Sequence, residues 1–290
     1  EFSKISVFSR GTSQMVQFQS ARKPTGGFSS AMSISALIYH SVVRSFRKQH
    51  NNAFIAMGVN MLQVVMFVGV FYVMFSILGL RGAAIRGDFL VYIMSGIFLF
   101  MTHTKTMSAV FASEGPSSPM MQHAPMNTII SILAAAFGAL YIQLLTLFLI
   151  LYGYHVIVTP VTIDDPASAF GMIIIAWAAG LAVGLALLAL KPWFPTVATV
   201  FSTLYMRANM IASGKMFVAN ALPSFMISMF DWNPLFHLID QARGFAFINY
   251  YPRNSNWEYP IYVTIALIML GLMGEFYTRR HASASWEARR

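Results

Sequence analysis

Six long apolar stretches, parted by short polar gaps, constrain this chain more than any motif in it. They cover residues 54–79, 89–102, 128–151, 169–190, 194–213 and 260–277. Crossing a hydrocarbon core of about 30 Å takes roughly 20 apolar helical residues, and each stretch reaches or approaches that length. Backbone in lipid has no water to bond to, so it must satisfy itself as helix or closed barrel. Stretches this long read as helices. The sequence predicts an all-α, polytopic membrane protein with six transmembrane helices.

Composition agrees. Of 290 residues, 57% are apolar and only 10% charged, where a soluble domain carries about a quarter charged residues. There is no cysteine, which excludes a disulfide framework, thiol catalysis and zinc–thiolate sites. Residues 1–30 are polar and basic without an apolar run, unlike a cleavable signal peptide. The net charge of +9 does not point to nucleic acid, because of where it sits. Lys4, Arg10, Arg22, Lys23, Arg44, Arg47 and Lys48 precede the first stretch, and Arg279, Arg280, Arg289 and Arg290 follow the last. Basic flanks mark the cytoplasmic side, so both termini are predicted cytoplasmic and the number of spans even. Six fits.

Residues 1–27 lack periodicity and read as a flexible cytoplasmic arm. From 28 to 50, Ile34, Leu37, Ile38, Val42 and Phe46 recur at helical spacing, while His40, Arg44, Arg47 and Lys48 gather opposite. Such a basic amphipathic helix lies in the membrane interface, as a plain anchor or as a docking face for a soluble partner. The transmembrane domain is read over 53–280, and 281–290 as a cytoplasmic tail. The second span is predicted to run on to about Phe111, carrying His103 and Lys105 toward an aqueous cleft or the headgroups. The loop 112–127, with three prolines, returns the chain on the cytoplasmic side through one short helix. Gly180 and Gly184, four apart in the fourth span, allow two helices to approach closely. Lys191, Pro192, Trp193 and Pro195 make a tight cytoplasmic turn. Pro223, Asp231 and Pro234 then break the region of about 216–251 into pieces too short to cross. Irregular backbone at membrane depth must lie against protein or water, so a re-entrant helical hairpin is predicted before the last span.

Enzyme signatures are missing: there is no H-E-x-x-H and no G-x-S-x-G. Ser213-Gly214-Lys215 ends like a phosphate loop, but Asn209 and Met216 occupy positions where that loop needs other residues. The seven histidines are scattered, and neither a metal site nor any cofactor on this chain is predicted. Arg207 lies inside the fifth span, where an arginine costs about 2.5 kcal/mol or more. With Tyr205, Lys215 and His103 it lines a path for an anionic substrate, or it snorkels to the outer headgroups. Lys215 reads first as an interface anchor. Asp240 and Arg243, three apart, are predicted to pair on a helix surface for a few tenths of a kcal/mol.

The order of these parts resembles the permease subunit of ABC-2 type exporters, particularly those of capsular polysaccharide or O-antigen. Trp232-Asn233-Pro234-Leu235, followed by Ile239-Asp240 and Arg243, is similar to the family's N-P-L…R signature in its re-entrant region. Ser213-Gly214 ahead of Leu222-Pro223 falls where the family has Ser-Gly/Pro and then Leu-Pro. The resemblance covers roughly residues 28–280. It implies an N-terminal amphipathic interface helix, six spans, a cytoplasmic coupling helix between spans 2 and 3, and the hairpin before span 6. It also implies that two copies pair around a central path, and that ATP and Mg are held by a separate nucleotide-binding ATPase subunit. This chain itself would then be no enzyme. Ser113, Glu114, Met120, Met121, Gln122 and His123, with Arg44 and Arg47, would meet the ATPase, although the loop lacks the basic cluster often seen there. The implied cargo is a lipid-linked polysaccharide crossing a bacterial inner membrane, acidic if Arg207 and Lys215 touch it. Membrane lipids and a periplasmic adaptor are further implied partners. Competing readings are an ABC-2 exporter of a lipid or hydrophobic drug, an intramembrane acyltransferase using His103, and a membrane scaffold or assembly protein without transport.

Overall fold

The computed structural model describes residues 53–77, 88–113 and 128–281, with Ala36 and Gly79 besides. The predicted arm, the interface helix 28–50 apart from Ala36, the loop 114–127 and the tail beyond 281 lie outside the described residues. All regular structure among the described residues is helical. The long helices are α1 (Ala53–Ile77), α2 (Phe89–Phe111), α3 (Thr128–Ile157), α4 (Pro166–Leu190) and α5 (Pro195–Ala212). After a 3₁₀ turn (Ala219–Ala221) come the short α6 (Ser224–Phe230) and α7 (Pro234–Ala246), and then the long α8 (Glu258–His281).

Among the described residues four helices are long and apolar enough to cross a membrane: α1 from Met57 onward, α3, α4 and α8. The other two predicted spans form helices but are not among these four. α2 keeps 23 residues, yet its second half reads Thr102-His103-Thr104-Lys105-Thr106. α5 has 18 residues, about 27 Å at 1.5 Å per residue, and carries Ser202, Arg207 and Asn209.

Packing explains how α2 tolerates its polar half. It is the central helix, in contact with α1, α3, α4, α5 and α7, and is buried over most of its circumference from Val91 to Val110. α4 lies along it with a seam of small residues, Ala176, Ala179, Gly180 and Gly184. A Cβ on Gly180 would sit 2.3 Å from the carbonyl oxygen of His103, and one on Gly184 2.7 Å from that of Met107. The paired glycines do let the two backbones close. The other side of α4 receives α8, where Gly271 and Gly274 meet Leu185 and Ala189. Lipid is as apolar as leucine, so helix association must draw on close packing and polar contacts; this seam supplies the first.

Local chemistry marks the helix ends. Asp88 and Asp165 cap α2 and α4 by accepting from the backbone N–H groups of Leu90 (2.9 Å) and Ser168 (3.1 Å). Proline follows the cap at Pro166 and Pro234, where its missing N–H costs nothing. Lys191 Nζ donates to the Phe111 carbonyl (3.3 Å), and Trp193 Nε1 to Thr278 Oγ1 (2.8 Å). The turn after α4 thus joins the ends of α2 and α8.

Candidate functional site

The polar centre of the molecule forms where α5 stops. Gly214 has φ 75°, left-handed backbone that glycine adopts without penalty, and a Cβ there would lie 2.8 Å from the Phe236 ring. The turn leaves the carbonyls of Gly214, Lys215 and Phe217 pointing into protein without helical partners. Arg243 of α7 collects all three. Its Nη1 donates to Gly214 (2.9 Å) and Phe217 (2.7 Å), and its Nη2 to Lys215 (2.9 Å). The guanidinium also lies 4.3 Å from the Tyr92 ring centroid. A planar fork is needed to serve carbonyls so arranged.

One turn earlier on α7, Asp240 accepts from the hydroxyls of Tyr250 and Ser255, the latter at 2.7 Å. Asp240 is 2% exposed and Arg243 1%. The predicted surface pair is therefore corrected: both charges are buried, and each has its own partners. The reason is that α7 turns its charged face toward the α5 turn and the 250–255 segment. Asn233 reaches the same place. It caps α7 by accepting from Leu235 N (3.1 Å), and its Nδ2 donates to Asn209 Oδ1 and the Ala212 carbonyl, both at 3.0 Å. The Asn-Pro-Leu triplet thus starts one helix and fastens it to another.

Lys215 is not an interface anchor. It is 2% exposed, and its Nζ lies 3.3 Å from the Phe100 ring centroid, with Phe67 and Phe71 at 5.6 and 5.8 Å. His103 is fully buried between α2 and its neighbours, its Nδ1 3.2 Å from the Ala176 carbonyl and its Nε2 2.9 Å from the Tyr205 hydroxyl. A carbonyl only accepts, so Nδ1 carries the hydrogen, and the neutral ring then accepts from Tyr205 at Nε2. Both ring nitrogens are used in tying α5 to α2 and α4. Lys105 is half-buried and donates to Gln63 Oε1 (2.7 Å). Arg207 lies exposed on α5. The four predicted path residues therefore separate: Tyr205 joins His103, Lys215 joins Arg243, and Arg207 stands apart.

Of the predicted coupling residues, Ser113 lies just past the end of α2, its Oγ donating to the Val110 carbonyl at 2.7 Å. Glu114, Met120, Met121, Gln122, His123, Arg44 and Arg47 lie outside the described residues. Two polar knots were missed from sequence. Asn60 donates to Thr146 Oγ1 (2.9 Å) and accepts from Gln143 (3.0 Å), clamping α1 to α3; single amides in apolar helices were the available signal. Asp88 also accepts from the hydroxyls of Tyr154 (2.6 Å) and Thr159 (2.8 Å). Partial burial works to raise its pKa, but these hydroxyls and the N–H groups of Leu90 and Val91 hold it below the usual carboxylate value.

Among the described residues no group of three His, Asp or Glu side chains is placed to hold a metal ion. What fold and site define, among the described residues, is an all-helical protein with four helices able to cross a membrane, built around a buried turn that carries Lys215 and is gripped by Arg243. Compared with known proteins, the sequence matches no family model and no curated protein.

Proposed function

We propose that this chain is the membrane-spanning permease subunit of an ABC-2 type exporter. It would move a lipid-linked, acidic polysaccharide across a bacterial inner membrane, with a second copy of itself and a separate ATPase subunit that holds ATP and Mg. The observation that carries this reading is the interruption between α5 and α8. α6 and α7, of seven and 13 residues, are too short to cross, yet α7 packs against α2, α4 and α8 with its polar side chains taken up by protein. That is the condition under which a re-entrant hairpin survives at membrane depth.

On this reading α2 and α5 also cross, making six spans. The polar half of α2 is screened by its helical neighbours, and the exposed Arg207 of α5 faces the path or the second copy. Both termini are cytoplasmic, and export is powered from that side through the segments around 28–50 and 113–127. The test is a gentle-detergent pull-down from native membrane, with bound proteins identified by mass spectrometry. A stoichiometric nucleotide-binding ATPase supports the exporter. Recovery without any ATPase, under conditions that keep other transporters intact, overturns it.

A further inference from the structure

α6 is too short to cross a membrane, yet its outward face is apolar. Phe225, Met229 and, just beyond the helix, Trp232 point away from the protein, 65%, 59% and 60% exposed. Phe230 turns inward onto the Phe217 and Phe236 rings, with centroids at 5.2 and 6.4 Å. Donors on the exposed side bond to α6 itself. Ser228 Oγ donates to the Phe225 carbonyl (2.9 Å), and Trp232 Nε1 to that of Met229 (2.6 Å). A face meeting water has no need of such internal partners, whereas one meeting lipid does. Asp231 is the only charged residue between Lys215 and Asp240, and it is exposed. Its carboxylate calls for water or headgroups nearby, which keeps this face out of the deep acyl region.

Hydrogen bonds fix the level of the face. The Tyr259 hydroxyl donates to the Trp232 carbonyl (2.6 Å). Asn220, just ahead of α6, donates to the Tyr251 carbonyl (2.8 Å) and accepts from the Arg253 N–H (3.2 Å). α6 is therefore strung between the segment leading into α8 and the first turn of α8. α8 is one of the four helices able to cross and has 24 residues, little more than the roughly 20 that span the hydrocarbon. Its first turn thus lies at the edge of that layer. The contact of Gly271 with Leu185 and Ala186 gives the same level: twelve residues back, Tyr259 lies abreast of Ile173, about 10 Å inside the start of α4 at Pro166. From there the exposed side of α8 runs on through Tyr262, Met269 and Met273.

We propose that α6 and Trp232 form an interfacial anchor whose partner is phospholipid, at the boundary of hydrocarbon and headgroups in the leaflet nearest Asp88 and Pro166. Phe225 and Met229 meet the upper acyl carbons, and the Trp232 indole lies at the headgroup edge, where aromatic rings are favoured. The anchor continues the lipid-facing side of α8 around the outside of the hairpin. It does not depend on the exporter reading: a pull-down without an ATPase would leave it standing. On that reading, it puts the transport path on the side of the hairpin away from Phe225, Met229 and Trp232.

The chain has no cysteine, so single cysteines report on single positions. Phe225→Cys and Met229→Cys are labelled with a nitroxide in the full chain and reconstituted in liposomes of phosphatidylcholine and phosphatidylglycerol. Met269→Cys, on the exposed side of α8, and Arg253→Cys, exposed ahead of it, are the lipid and water references. Power saturation in electron paramagnetic resonance compares relaxation by oxygen, which partitions into lipid, with relaxation by a water-soluble nickel chelate. Oxygen should dominate at 225 and 229 as it does at 269, by a smaller factor, while the chelate dominates at 253. Dominance of the chelate at 225 and 229 would put the face on an aqueous path, and protection from both reagents would put it against a second copy; either overturns the anchor. A label-free readout covers variants that do not fold. Lipids brominated near the glycerol end should quench the tryptophan fluorescence more than lipids brominated near the methyl end, and Trp232→Phe should reduce that difference. An unchanged difference in Trp232→Phe overturns the anchor as well.

Discussion

α4 and α5 are joined by the short turn at 191–194, yet they are held in place by different forces. α4 sits in the interior, its alanines and glycines letting α2 and α8 come close. α5 exposes Val197, Val200, Phe201, Leu204 and Ile211, and sends inward mainly small or polar residues, Ala198, Ser202, Tyr205 and Asn209, with Met206 against Ser108. In water the larger apolar side chains would be expected inside. In lipid they gain nothing by leaving the surface, so residue size and hydrogen bonding decide what is central. α4 is fixed by close packing, and α5 by polar ties at Tyr205, Asn209 and the Arg243 turn.

That contrast can be broken most directly at Gly180. Gly180→Leu should abolish a monodisperse folded species on size-exclusion chromatography, because its Cβ alone would lie 2.3 Å from a backbone oxygen. Gly69→Ala on α1 meets nothing within 4 Å and should be neutral or stabilising by up to about 1 kcal/mol in thermal melts. Equal outcomes would mean that backbone approach does not set the core.

Next in size is Arg243→Met, which strands the Lys215 and Phe217 carbonyls, while that of Gly214 keeps its turn bond from the Phe217 N–H, and should cost about 3 kcal/mol or more. Arg243→Lys should recover only part of this, since an ammonium cannot reproduce the fork; denaturant melts of both variants measure the gap. Tyr205→Phe removes one tie of α5 and should cost about 1 kcal/mol, whereas the exposed Leu204→Ala should stay within about 0.5 kcal/mol of wild type. If Leu204→Ala proved the more damaging, α5 would be held by packing after all.

The smallest effect is a pH dependence at Asp88. Its pKa is lowered on folding, so its stabilisation is present above the unfolded value of about 3.9 and fades as pH falls through the folded value. Asp88→Asn should therefore melt below wild type at pH 7, and the two should converge as pH falls below about 4. Parallel curves down to pH 3 would show that the knot does not favour the charged form.

Much of the helical layout was legible because it rests on local chemistry. The predicted end of the second span at Phe111 is the observed end of α2. Pro223, Asp231 and Pro234 fall at the borders of α6 and α7, before, between and at the first residue. Proline lacks an N–H and restricts its predecessor, and that holds wherever the chain goes. The candidate site was less legible. Arg243 bonds residues 26–29 positions away and His103 reaches residues 73 and 102 away, distances over which helical periodicity carries no information.

By itself, then, the sequence determined that the described chain is helical and apolar enough for a membrane, since backbone in lipid must bond within its own segment, and it placed the helix breaks at prolines, although α3 and α8 run on to Ile157 and His281, past their predicted ends. The tertiary structure alone decided which helices are central and which charges are buried. Asp240 and Arg243 look like a surface pair in one dimension. They became an internal fastening because the end of α5 arrived with carbonyls to fill, and the 250–255 segment with hydroxyls to give.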